Sequence, residues 1–158
     1  MKAKVTLYKI CCWACFVAVF CASCNTAALD NLSGVEKSKD TLYYLDNIKP
    51  TVEQPIEPKK GEVFEAYKFV QVEVTEVSNP KRFALSFEVS YRSKDNANNY
   101  LGSFSLYPAD NPGKFIVATQ GKLKNEGAII LTMVIQDKIG PGDTIKATVK
   151  KMKLLKDN

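Results

Sequence analysis

The sequence predicts an all-β domain over residues 62–158, an antiparallel β-sandwich with immunoglobulin-like Greek-key connections or, as the alternative, a small β-barrel. Two observations carry this. Apolar residues recur with period two in most runs from Glu62 onward, the spacing at which one face of a strand is buried and the other wet. The runs are short and are separated by Gly/Pro/Asn/Asp clusters, and no sustained helical period appears among them. The Cys–Trp–Cys signature of true immunoglobulin domains is missing, because no cysteine lies beyond Cys24.

The runs take their places in order. In "YKFVQVEVTEV", Val70, Val72 and Val74 alternate with Gln71, Glu73 and Thr75. In "FALSFEVSY", Phe83, Leu85, Phe87, Val89 and Tyr91 alternate with Ala84, Ser86, Glu88 and Ser90. "SNPK" between them is turn chemistry, so the two runs read as a hairpin. Further strands are expected at "YLGSFSLY", "KFIVATQG", "AIILTMVIQ" and "TIKATVKKMKLL", separated by "PADNPG", "KNEG" and "GPGD". "AIILTMVI" is apolar on both faces and reads as a central strand. The last run places Ile145, Ala147 and Val149 inward, and its lysines suit an edge strand, where charge opposes edge-to-edge association.

Composition excludes several chemistries. There is no histidine, which removes Ser-His-Asp and Cys-His catalysis and nearly all common zinc ligand sets. Beyond Cys24 there is no thiol for a disulfide, a nucleophile or a metal. Three of the 22 basic residues, Lys2, Lys4 and Lys9, precede Cys24, leaving 19 against all 17 acidic residues. That balance argues against a nucleic-acid partner, which needs a clustered basic face. No catalytic residue, metal site or cofactor is expected, and the domain reads as non-enzymatic.

All five cysteines lie in "CCWACFVAVFCASC", Cys11 to Cys24. The two CxxC spacings are not read as zinc knuckles, since apolar residues fill the intervals and no turn residue breaks them. The basic start "MKAKVTLYK" and the apolar run Ile10–Ala22 have the layout of a signal peptide, and the run is shorter than the roughly 20 residues a bilayer span needs. Its end, Cys21-Ala22-Ser23-Cys24, resembles the lipobox of bacterial lipoproteins. Ala22 and Ser23 match the small positions and Cys24 the lipidated one, while Cys21 stands where an aliphatic residue is usual. The resemblance covers the first 24 residues. It implies removal of residues 1–23, lipidation of Cys24 and a membrane partner, and it says nothing of the domain's fold. Stable anchoring needs more than one acyl chain, which a lipoprotein cysteine of this type carries. Asn25 is not the aspartate that retains some lipoproteins at the inner membrane, so the address reads as the outer membrane of a bacterial cell envelope.

Residues 24–61 read as the lipidated terminus and a tether, because Pro50, Pro55 and Pro58 preclude a helix and favour extended chain. "DTLYYLDNI", Asp40 to Ile48, is the exception and reads as a short helix or strand that docks locally. Candidate binding residues sit in two polar loops. Asp95, Asn98 and Tyr100 belong to "RSKDNANNY", and Tyr107 and Asp110 belong to "YPADNPGK". Both loops are turn chemistry first. The EF-hand pattern fails, with Ala97 third and Tyr100 sixth from Asp95. Tyr100 and Tyr107 are candidates for an aromatic platform. The expectation is a lipid-anchored module that binds or scaffolds another envelope protein through a sheet edge or this loop end; the alternative is a carbohydrate- or calcium-binding accessory module.

Overall fold

The structure, a computed structural model, describes residues 41–157. The signal peptide, Cys24 and the first part of the expected tether lie outside the described residues. Nine strands follow in order: β1 (Leu42–Asp46), β2 (Thr51–Ile56), β3 (Tyr67–Ser78), β4 (Leu85–Ser93), β5 (Asn98–Ser105), β6 (Gly113–Ala118), β7 (Gly127–Ile135), β8 (Lys146–Lys150) and β9 (Lys153–Lys156). They build two antiparallel sheets. The five-stranded sheet has the order β1-β8-β3-β6, with β9 beside the start of β3; the four-stranded sheet has the order β2-β7-β4-β5.

The predicted antiparallel sandwich is what the chain builds. Its strand order differs from the immunoglobulin-like expectation, because 1-8-3-6 facing 2-7-4-5 is the double Greek key of a jelly roll. The period-two runs explain the layering. Val70, Val72 and Val74 of β3 and Ala147 and Val149 of β8 face Leu85, Phe87, Val89 and Tyr91 of β4 and Ile129, Leu131 and Met133 of β7 in one buried core. Burying side chains of this size contributes about 1.5–3 kcal/mol each. As its two-sided apolarity predicts, β7 is central, between β2 and β4.

Three expectations are corrected. The "SNPK" stretch does not close a hairpin: β3 and β4 lie in different sheets, and residues 79–84 form the corner between them. The buried Asn79 builds that corner. Its amide donates to the carbonyls of Phe83 (2.9 Å) and Ala109 (3.2 Å) and accepts from the Phe83 N–H (3.1 Å). Turn residues mark a change of direction and do not say whether the next strand returns beside the last one.

The last run is not one edge strand. It breaks at Lys151–Met152 into β8, which is interior between β1 and β3, and β9, which is the edge. Finally, the tether over 24–61 gives way to two strands. β1 pairs with β8 and β2 pairs with β7, so the sandwich already includes residues 42–56 and does not start at residue 62. The strand alternative for "DTLYYLDNI" is the one adopted. Pro50 occupies the β1–β2 turn, and Pro55 sits in an edge strand, where its missing N–H deprives no neighbour of a hydrogen bond.

Candidate functional site

The two flanks of the sandwich are the gaps between an edge strand of one sheet and an edge strand of the other. On the flank between β2 and β9 the gap stays open as a cleft of about 790 Å³, lined by Tyr43, residues 54–59, Tyr67 and residues 151–155. The break in the last strand creates it. At Met152 the ladder is interrupted, and a side chain from the opposite sheet takes over. The buried Gln54 of β2 accepts from the Met152 N–H (2.7 Å) and donates to the Met152 carbonyl (2.9 Å). A primary amide has one donor end and one acceptor end, so it can replace both hydrogen bonds of a missing strand partner. Beside it, the Lys151 N–H donates to the Thr41 carbonyl at 2.9 Å, the last rung before β9.

Past this clamp the cleft has a polar wall. The buried Tyr67 hydroxyl donates to Glu62 Oε2 at 2.5 Å and accepts from the Lys59 N–H at 3.3 Å. Lys156 Nζ lies 2.7 Å from Glu62 Oε1 and 5.9 Å from the centre of the Tyr67 ring. The Lys156 ammonium and the Tyr67 hydroxyl hold the Glu62 carboxyl below its ordinary pKa. Lys59, Lys151 and Lys153 are exposed on the rim. No buried side-chain nitrogen or oxygen among the described residues lacks a partner. The arrangement supplies shape, charge and strand edge, and every buried side-chain polar atom in its wall is already engaged.

The loop candidates fall at two opposite ends. Lys94–Ala97 is a tight connection between β4 and β5, closed by Ser93 N–H to Ala97 carbonyl (3.0 Å) and Asn96 N–H to Ser93 carbonyl (2.9 Å), with Asn96 at φ 61°. Asp95 is exposed at its tip, Asn98 opens β5 opposite Arg92, and Tyr100 lies opposite Ser90, 52% exposed. These three are neighbours. Tyr107 is 95% exposed at the other end of β5, before a cis Pro108, and Asp110 pairs with Arg82 at 3.3 Å. Tyr107 lies seven residues beyond Tyr100, most of the way along β5, about 23 Å at the usual rise. They do not form one platform. Among the described residues no three His, Cys, Asp or Glu side chains group as metal ligands, and no helix is long and apolar enough to cross a membrane.

The cleft residues escaped the sequence reading. Gln54 occupies an inward position in "TVEQPI", with Val52 and Ile56 on the same side. A polar residue in an inward register is a signal for a buried amide, but only once the run is recognised as a strand. No protein-family model, no curated protein and no solved structure matches this chain.

Proposed function

We propose that the chain is a bacterial envelope lipoprotein, held at the outer membrane by lipid on Cys24, whose non-enzymatic jelly roll binds another envelope component in the β2–β9 cleft. The single observation that carries the binding part is the open flank. A sandwich whose core is filled and whose buried polar atoms are paired among the described residues nevertheless leaves about 790 Å³ between two strand edges. The anchor rests on the resemblance at residues 21–24. The sixteen residues 25–40 would let the domain stand at most about 55 Å from the bilayer, so the partner lies within that reach.

Two measurements test the two parts. In cells fed a labelled fatty acid, Cys24→Ala should lose the label and leave the membrane fraction; persistent labelling of that variant overturns the anchor. A photo-crosslinker in place of Leu155, in the cleft, should give adducts identifiable by mass spectrometry. The same group in place of Tyr107, at the far end, should not. Equal adducts from both positions, or none from the cleft, overturn the cleft as the binding site; a glycan adduct changes the partner class.

A further inference from the structure

The open flank presents two strand edges of unequal capability. We propose that β9 is a docking edge for an extended acidic segment of a partner protein, which joins the five-stranded sheet as an added strand. This rests on the cleft being the binding site and names the chemistry of its occupant.

Strand addition needs an edge with free N–H and C=O groups. Among the described residues β9 pairs with β3 on one side only, and the described part of β1, which covers β8, extends as far as the Thr41–Lys151 rung. The outer edge of β9 therefore has no strand partner among the described residues. Across the cleft, β2 cannot offer the same template, because Pro55 interrupts its row of donors and Pro58 follows just beyond it. Four residues of β9 give an edge about 13 Å long, within the usual length of a short strand.

Charge selects the occupant. Lys151, Lys153 and Lys156 stud this edge and Lys59 faces them across the cleft, against Glu57; Glu62 is already engaged by Lys156 and Tyr67. A second copy is a poor fit. A second copy would bring its own Lys151, Lys153 and Lys156 to this edge, three cations against Asp157, and like charges brought together destabilise a strand pair. An acidic strand reverses that sign. Leu154 and Lys156 share the inward register, opposite Val70 and Tyr67 of β3, while Lys153 and Leu155 point to the other face. A segment alternating acidic and apolar residues can then meet Lys153 on one face and cover Leu154 on the other.

The test uses the full mature chain and a blocked peptide of alternating glutamate and valine, with a lysine–valine peptide as control. The acidic peptide should bind and slow amide exchange in residues 153–156. The lysine–valine peptide, and the Lys151→Glu/Lys153→Glu chain with the acidic peptide, should each bind about tenfold more weakly. Two further acidic peptides separate strand addition from simple charge attraction. One is N-methylated at its valines and the other at its glutamates. A strand turns alternate residues' N–H groups to opposite edges, so one of these should lose binding and the other keep it. Equal binding of all three acidic peptides, equal loss in both methylated ones, or protection away from β9 overturns strand addition. So does peptide-free protection of residues 153–156 that rises with chain concentration, which would mark a second copy. If the Leu155 crosslinker finds its partner while no peptide binds, strand addition falls and the cleft stands; if the crosslinker also fails, both fall.

Discussion

Between β5 and β6 the sandwich is sealed by aromatic rings, whereas between β2 and β9 it is held at one point by an amide and otherwise left open. On the sealed flank Phe104 of β5 stacks on Phe87 of β4 (centroids 5.2 Å apart) and on Phe115 of β6 (4.1 Å). That stack bridges the sheets and fills the gap with apolar volume. On the open flank the Gln54–Met152 clamp bridges the sheets, and beyond it lie Tyr67, Glu62 and lysines. Both flanks solve the same problem, the joining of two twisted sheets at their edges. One uses burial, which leaves no room, and the other uses hydrogen bonds, which leave a strand edge exposed. Aromatic packing and an exposed strand edge are thus divided between the two sides of one small domain.

The largest effect should come from breaking the sealed flank. Phe104→Ala removes the middle ring of the stack, and because that ring is only part-buried the cost should be about 2–3 kcal/mol, below the full range for a core phenylalanine. Chemical denaturation should show this as a lower midpoint with an unchanged slope. Next is the clamp. Gln54→Ala leaves the Met152 N–H and C=O without their partner, at a cost of about 1–3 kcal/mol, and it should raise amide exchange in β9 while leaving β5 and β6 protected. Comparable loss of protection on both flanks would show that the flanks are not separate units.

The smallest effect should follow pH. Hydrogen bonds and ion pairs hold four carboxyls below their ordinary values. The Lys49 and Ile48 N–H groups act on Asp46, Lys156 and Tyr67 on Glu62, Lys150 on Glu73, and Lys81 with the Gly140 N–H on Asp143. A lowered native pKa adds stability above the unfolded-state value and loses it as pH falls through the native one. Thermal stability should therefore decline below about pH 4.5 and stay nearly level from about pH 5.5 to 8, where no histidine titrates. The deficit of Glu62→Gln relative to the parent chain should be present near pH 6 and shrink as pH falls below the ordinary carboxylate range; a deficit that does not change with pH means that Glu62 acts by shape and not by charge.

The sealed flank was more legible than the open one. Phe87 stood out in a period-two run, and Phe104 and Phe115 fell in runs read as strands, since apolar alternation is a local property of the chain. The β2 side of the open flank reads in sequence as a tether, because Pro50, Pro55 and Pro58 read as breakers. Proline at a sheet edge and proline in a linker look alike in sequence, and only strand neighbours distinguish them. The candidate loops show the same limit: turn chemistry located both, but their separation by the length of β5 depends on the path of the chain.

The sequence by itself determined the all-β class, most of the inward-facing residues, the absence of thiol and imidazole chemistry past Cys24, and the lipobox resemblance on which the anchor rests. These follow from residue type and spacing within a few positions. The tertiary structure alone decided that β3 and β4 part into different sheets, that residues 42–56 join the domain, and that Gln54 meets Met152. Each depends on which strands become neighbours, a choice made by burying all the apolar faces together, and no single run of residues contains it.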